Sequence, residues 1–242
     1  PETNEDVLVD MSWYISRDTG LIQLNPLIPL EILYPESHGA GCVGTLWDQH
    51  HSAFAKFISS YAPKSILEIG GGHGILSLKY KKYDDIDWTI VEPNPTPAKD
   101  VDAQYINGFF DETFELTKDV DAIVHSHVLE HIYYPDKFIE DLANYLDVGK
   151  YLIFTLPHMK IMLERKYTNC INLEHTIFLT EPYIEHLVSR YGFRLVKRKY
   201  FLDDHSIFYA FIREDNATMI ELPVNLYKRN KELYLNYIDY HL

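Results

Sequence analysis

Two histidines, His127 and His131, lie four residues apart in the run Ser-His-Val-Leu-Glu-His at residues 126–131, directly after an apolar segment. Imidazoles change charge near neutral pH, so they serve as acids, bases or metal ligands. A spacing of four would suit a metal pair on a helix. No third ligand with matching spacing is evident, and we therefore expect no metal site. Ordinary surface histidines are the alternative interpretation.

A second polar group, Glu174 beside His175, lies in the segment of residues 168–176. Residues 157–180 place polar groups where a bare α/β fold needs only a short loop, which favours substrate binding. An imidazole next to a carboxylate can act as a general base. We expect His175 to be the base and Asn172 to contact the substrate. The alternative is that Glu174 caps a turn and His175 is exposed.

Glycines follow an apolar run at residues 66–74, which reads Ile-Leu-Glu-Ile-Gly-Gly-Gly-His-Gly. Such a run predicts a buried parallel strand. The glycines permit positive φ and let a ligand lie directly against the backbone. A helix is predicted from Ile75 to Tyr80. The order strand, glycine turn, helix suits a nucleotide-like ligand at the carboxyl edge of an α/β sheet.

A second strand is predicted at residues 87–91, and it ends on Glu92 before the helix-breaking Pro93-Asn94-Pro95. An acidic residue at this point can accept hydrogen bonds from both ribose hydroxyls, as in dinucleotide sites about 20 residues beyond the glycines. The sequence therefore predicts a nucleoside-binding half of an α/β domain.

Residues 68–74 resemble the first motif of class I S-adenosylmethionine-dependent methyltransferases, Glu-x-Gly-x-Gly-x-Gly, at every fixed position. A nicotinamide fingerprint, Gly-x-Gly-x-x-Gly, would need a glycine where Ile75 stands, which disfavours a nicotinamide oxidoreductase. S-adenosylmethionine is thus the implied cofactor. Its expected binding residues are Glu68, Gly70, Gly71, Gly72, Glu92, Asn107, Phe109 and His127.

The histidine segments at residues 127–131 and 172–175 resemble the Asn-Val-Leu-Glu-His and Tyr-His-Glu-His segments of sugar C-methyltransferases, over about residues 20–213. The family roles imply His175 as base, with Glu174 and His131 as neighbours in substrate binding. Two residues depart from the pattern: Asn172 replaces a tyrosine and His127 an asparagine. The family's cysteine-rich zinc module and large C-terminal domain have no counterpart.

Composition narrows the classes of protein. The formal net charge of −14, from 22 basic and 36 acidic residues, disfavours broad binding to nucleic acid or anionic membranes. The two cysteines, Cys42 and Cys170, form no CxxC pair. We find no run of about 18 apolar residues and no signal peptide, so we expect a cytoplasmic enzyme. The start at Pro1 suggests that an N-terminal stretch is missing from this numbering.

The predicted fold class is α/β: a Rossmann-like class I methyltransferase fold with a mostly parallel seven-stranded sheet and helices on both faces. We expect a lead-in at residues 1–44, the methyltransferase domain at 45–215 and a helical tail at 216–242. Residues 34–51 could cover the active site, with His38 and His50 contacting substrate; a plain surface loop is the alternative. The remaining elements are predicted at residues 45–61, 103–106, 120–125, 135–146, 151–155, 182–191, 193–201 and 206–211.

The tail has a possible apolar helical face formed by leucines, tyrosines and Ile238 within residues 223–242. Docking on its own domain is one interpretation, and a homodimer or lid contact is the other.

The predicted function is methyl transfer to a small polar acceptor, such as a sugar, a nucleotide-sugar or a phosphorylated metabolite. Oxygen is favoured slightly over carbon because the family tyrosine is absent. One alternative is C-methylation of a nucleotide-linked keto-deoxysugar. The other, from a different class, is a non-catalytic subunit that binds S-adenosylmethionine.

Overall fold

The computed structural model describes residues 8–33, 44–115 and 118–242. Its central feature is a seven-stranded sheet with strand order β5-β4-β3-β6-β7-β9-β8. The first five strands in this order are parallel, whereas β9 is antiparallel to both β7 and β8. The mostly parallel seven-stranded sheet predicted from the sequence is confirmed.

The strands of this sheet are β3 Ser65–Ile69, β4 Asp87–Glu92, β5 Gln104–Asn107, β6 Ala122–Ser126, β7 Tyr151–Pro157, β8 Phe193–Phe201 and β9 Ser206–Arg213. The helices are α1 Leu30–Leu33, α2 Thr45–Ser59, α3 Ile75–Tyr80, α4 Pro135–Tyr145, α5 Met159–Glu164, α6 Glu181–Arg190 and α7 Leu226–His241. Each strand and helix predicted from the sequence is present, with ends that differ by up to three residues. The α1 and α5 helices were not predicted, nor was a two-stranded antiparallel sheet of β1 Trp13–Ile15 with β2 Ile22–Leu24.

Alternating side chains of the strands fill two cores, one on each face of the sheet. Ile66 packs with α2 and α3 on one face, and its neighbour Leu67 packs with α4 and α6 on the other. Leu67, Ile123 and Leu152 are fully buried. This packing fixes the carboxyl ends of β3, β4, β5 and β6 along one edge, where the candidate site residues lie.

The α7 helix docks on its own chain. Tyr237 is buried in a third apolar cluster with Met159 and Leu163 of α5, and its hydroxyl donates a hydrogen bond to the carbonyl oxygen of Tyr167 at 2.8 Å. At the start of α7, a Cβ on Gly20 would lie 2.4 Å from the backbone nitrogen of Tyr227, so the chain passes very close there. The intramolecular interpretation is supported; a homodimer through this helix stays a prediction.

Among the helices in the described part of the chain, none combines the length and the apolar character needed to cross a membrane.

Candidate active site

The turn between β3 and α3 carries backbone conformations that glycine adopts readily. Gly70, Gly72 and Gly74 have φ values of 70°, 45° and 71°. A Cβ on Gly71 would lie 2.7 Å from Ile90 Cγ2, so this position is closed by packing. A Cβ on Gly72 would meet no heavy atom within 4 Å. The turn is therefore packed tightly below and open above Gly72, as a ligand lying against the backbone requires.

Glu92 ends β4 next to this turn. One carboxylate oxygen accepts a hydrogen bond from Gly72 N at 3.1 Å, and the other accepts one from Asn94 N at 3.1 Å. A carboxylate offers about four lone-pair directions, so both oxygens can still accept a bond from a ribose hydroxyl. Asn107 pairs with Glu92 in the sheet register, and Phe109, 61% exposed, follows it. These residues lie at one edge and fit S-adenosylmethionine; their individual contacts stay predictions.

Glu68 lies beneath the turn rather than on its open side. It is 3% exposed, and its carboxyl oxygen accepts a hydrogen bond from the Trp88 indole nitrogen at 2.7 Å. Burial, together with the nearby charge of Glu92, raises the pKa of Glu68 to about 7 despite that bond. This placement supports a role in shaping the floor of the glycine turn, and direct contact with the cofactor stays a prediction.

The Glu68→Gln variant should show a different dependence of stability on pH. From the ordinary pKa of 4.5 up to about 7, the unfolded chain loses the proton while folded Glu68 keeps it. The unfolding free energy of the wild type should therefore fall relative to the glutamine variant by about 3 kcal/mol over this pH range and then level off. Denaturant titrations at several pH values measure the difference. A difference that is constant from pH 4.5 to 7 would contradict the assignment.

His131 and His175 come together at the end of β6, with ring centroids 5.2 Å apart. The carbonyl oxygen of Glu174 lies 3.0 Å from His131 Nδ1, and the carbonyl oxygen of Cys170 lies 3.5 Å from His175 Nδ1. Such contacts favour protonated Nδ1 atoms, which would leave the Nε2 lone pairs to accept protons. The structure thus places both predicted imidazoles in one group.

The carboxyl group next to these imidazoles is that of Glu130. It is fully buried, and its Oε1 lies 3.9 Å from His131 Nε2 and 3.2 Å from His127 Nδ1. Neither carboxyl oxygen has a hydrogen bond within the described residues. Burial raises the pKa of Glu130, whereas His131 and His175 act in the opposite direction. Ligand atoms of Glu130, His131 and His175 lie within 4.8 Å of one another.

Asn172 organises the loop that carries His175. Its side-chain oxygen accepts hydrogen bonds from the backbone nitrogens of Glu174 at 2.9 Å and His175 at 2.7 Å, which is an Asx turn. The loop is joined to the short turn after β6 because Thr176 N donates to the Glu130 carbonyl oxygen at 3.2 Å. Substrate contacts of Asn172 and Glu174 stay predictions.

A second histidine group joins three separate elements. His50 of α2, His127 after β6 and His205 before β9 surround one another, with ring centroids 5.2, 5.4 and 6.0 Å apart. The Trp47 ring meets all three rings edge-on. The predicted substrate residue His50 is fully buried here, and the predicted cofactor residue His127 packs in the same group. His38, and with it most of the predicted cover, lies outside the described residues.

The group is held in its neutral form. Burial lowers the pKa of His50, of His127 and of His205, and the neighbouring imidazoles lower those of His50 and His127 further. His125, on β6 and stacked on Phe154, has its pKa lowered to about 3, mainly by burial and also by His127.

Sequence reasoning missed Glu130, His205 and Trp47 as site residues. For Glu130 a signal was present, because it stands between His127 and His131 in a segment with apolar neighbours. For His205 and Trp47 no local pattern exists, since they reach the group from a strand turn and from a distant helix.

Three comparisons place this geometry among known proteins. The chain matches the methyltransferase domain family over residues 46–198, and no curated protein sequence matches it significantly. Among solved structures, it resembles a Burkholderia thailandensis 1,6-didemethyltoxoflavin-N1-methyltransferase with bound 1,6-didemethyltoxoflavin and S-adenosylhomocysteine. The TM-score is 0.61 at 12% identity, over 84% of this chain and 98% of that one.

Two further structures have the same fold. One is magnesium protoporphyrin IX methyltransferase from Synechocystis with bound S-adenosylhomocysteine, with a TM-score of 0.55 and 13% identity over 71% of this chain and 89% of that one. The other is human N-acetylserotonin methyltransferase in complex with S-adenosylmethionine. Its TM-score is 0.56 at 13% identity, over 70% of this chain and 53% of that one. The family match covers more than half of the chain, and the glycine turn and Glu92 fit the same cofactor. The chain belongs to the methyltransferase domain family and is an S-adenosylmethionine-dependent enzyme of the class I fold.

Proposed function

We propose that this enzyme methylates an oxygen atom of a small polar acceptor, such as a sugar, a nucleotide-sugar or a phosphorylated metabolite, with His175 as the general base. The observation that supports this most is the pairing of His175 with His131 beside buried Glu130, tethered to the carboxyl end of β6. The same sheet edge carries Gly72 and Glu92 on the adjacent strands.

The chemistry divides between the cofactor and the chain. Bound S-adenosylmethionine supplies an electrophilic methyl group. The Gly72 backbone and the Glu92 carboxylate hold the nucleoside, which aligns the donor with the acceptor. His175 Nε2 takes the proton of the acceptor hydroxyl, and His131 orients the acceptor beside it. Glu130, when ionised, stabilises the imidazolium that forms.

C-methylation of a nucleotide-linked keto-deoxysugar is the second candidate, and the similarity of residues 127–131 and 172–175 to sugar C-methyltransferases favours it. It also needs a base, but the proton leaves a carbon next to a carbonyl group. Asn172 stands where that family has a tyrosine, and its side-chain oxygen is used within the loop. This local role is why we place oxygen first.

Release of S-adenosylhomocysteine tests the proposal. Purified enzyme is incubated with S-adenosylmethionine and a panel of sugars, nucleotide-sugars and phosphorylated metabolites, and the methylated atom is identified by NMR. We expect acceptor-dependent turnover and an O-methyl product. A C-methyl product would support the second candidate. Tight donor binding without turnover on any acceptor class would instead favour a non-catalytic subunit.

The setting of the enzyme belongs to the same proposal. We propose a cytoplasmic role in carbohydrate biosynthesis, which the similarity to sugar C-methyltransferases suggests. The net charge of −14 supports the further proposal of no nucleic-acid or membrane partner.

A further inference from the structure

The group of His50, His127 and His205 has the composition of a metal site. Each imidazole offers one ligand atom, and these three atoms lie within 4.8 Å of one another. A tetrahedral zinc ion with Zn–N bonds of about 2.0–2.1 Å needs nitrogens about 3.3 Å apart. The three atoms are spread more widely than this, so binding requires the side chains to draw together around the ion.

One ring of the group has an unpaired nitrogen, and the other two rings share one neighbour. His50 Nδ1 is buried and has no hydrogen-bond partner within the described residues. His127 Nε2 and His205 Nδ1 both lie next to the Ser206 hydroxyl, at 3.0 and 2.5 Å. The hydroxyl can donate to one of these nitrogens and accept from the N–H of the other, so Ser206 joins the two rings. The nitrogens of His127 and His205 therefore face a common point, and an ion bound there would take the place of the Ser206 contacts.

His127 also has the outer partner that a metal-binding imidazole usually has. Its other nitrogen, Nδ1, lies 3.2 Å from the buried Glu130 carboxyl oxygen. A carboxylate on the far side of the ring fixes the tautomer and raises the basicity of the ligating nitrogen. The contact is at ion-pair distance and is not yet a hydrogen bond, since both Glu130 carboxyl oxygens lack a hydrogen-bond partner within the described residues. Metal binding would have to turn the His127 ring so that Nδ1 donates to Glu130.

We propose that His50, His127 and His205 bind a divalent metal ion of the zinc class, with Glu130 as the carboxylate behind His127. Three imidazoles without a thiolate suit Zn²⁺ and its neighbours in the transition series, and are a poor site for Mg²⁺ or Ca²⁺, which prefer oxygen ligands. Three protein ligands leave a fourth position for water or for an oxygen of the acceptor. The acceptor part of this statement rests on the proposed function.

This proposal departs from the sequence, which predicts no metal site because His127 and His131 have no third ligand with matching spacing. The additional ligands come from other elements, since His50 belongs to α2 and His205 to the turn between β8 and β9. His127 uses a left-handed backbone conformation, with φ 55°, at the junction where its ring turns toward them.

Binding of Co²⁺ tests the proposal on the full chain without cofactor or acceptor. Chelator-treated protein is titrated with Co²⁺ and followed by its visible absorption bands, and Zn²⁺ is then added as competitor. We expect one ion per chain and the intense bands of a tetrahedral site. His50→Ala and His205→Ala should each abolish these bands, whereas His241→Ala, on the exposed end of α7, should bind like the wild type.

Changing Glu130, the carboxylate next to His127 Nδ1, should reduce the metal affinity without abolishing it. Glu130→Gln should weaken Zn²⁺ binding by about 10–100-fold, the usual effect of removing such a partner. Thermal denaturation shows whether each variant is folded. If His50→Ala does not fold, His205→Gln still tests the site, because His205 is less buried than His50.

Two results would overturn the proposal. One is unchanged Co²⁺ affinity in folded His205→Ala and His205→Gln. The other is binding that is lost in His175→Ala but retained in His205→Ala, which would move the ion to the group of Glu130, His131 and His175. Because the assay measures an ion and no methyl transfer, its failure is distinguishable from failure of the proposed function.

Discussion

Replacing Glu92 with alanine should weaken the binding of S-adenosylmethionine and of its demethylated product by about 10²–10⁴-fold. Glu92 accepts bonds from Gly72 N and Asn94 N and still has lone pairs for both ribose hydroxyls. Two charge-assisted hydrogen bonds of about 1.5–3 kcal/mol each correspond to that loss of affinity. Isothermal titration calorimetry with the demethylated product measures it without interference from turnover.

The matched control is Glu112→Ala, which removes a carboxylate that is 72% exposed on the loop after β5. It should bind the product like the wild type. The thermal midpoint of Glu92→Ala must be compared as well, because this carboxylate also holds the glycine turn. Unchanged product affinity in a folded Glu92→Ala variant would remove Glu92 from the cofactor site.

Replacing His175 with alanine should lower turnover by about 10²–10⁴-fold, the usual contribution of a positioned base. Affinity for the donor should remain nearly unchanged, because the proposed donor site is the glycine turn with Glu92. His131→Ala should cost less, since the proposed role of His131 is to orient the acceptor and not to take its proton. Single-turnover rates on the true acceptor, with donor affinity measured in parallel, separate the two effects.

The pH profile distinguishes a base from a residue that only shapes the loop. An imidazole accepts a proton only in its neutral form, so the wild-type rate should rise with pH and then flatten. That rise should vanish in His175→Ala and persist in His131→Ala. Wild-type turnover in His175→Ala would assign the rate to alignment alone, as suits an acceptor that is already ionised.

The geometry of the glycine turn and the position of Glu92 could be predicted from the sequence because they are local; their contacts with the cofactor stay predictions. The glycine turn lies between an adjacent strand and helix, and Glu92 follows at a fixed distance set by one βαβ unit. The structure has the same strand ends and the expected positive φ angles at Gly70 and Gly72. These residues could be recognised because they are close together in the sequence and because the turn needs backbone angles that favour glycine.

The grouping of the proposed acceptor residues could be predicted only in part, because they come from distant segments. The sequence indicates His131 and His175 separately, whereas their pairing across 44 positions depends on the hydrogen bond between Thr176 and Glu130. The group of His50, His127 and His205 depends on how α2 and the β8–β9 turn pack over β7. Spacing along the chain carries no signal for such a group, so the sequence predicted only isolated histidines there.

The docking of α7 has a consequence for altering this enzyme. Tyr237 and the neighbouring apolar side chains pack α7 against α5. The Tyr237 hydroxyl donates a hydrogen bond to the carbonyl oxygen of Tyr167, eight residues before His175. The start of α7 is pressed against Gly20 beside β2. The α5 helix, the α7 helix and the segment around Gly20 thus form one packed unit that does not include the glycine turn. Under the proposed function this unit supports the loop of His175, so exchanging it whole, rather than changing single residues, should alter acceptor preference and leave donor binding intact.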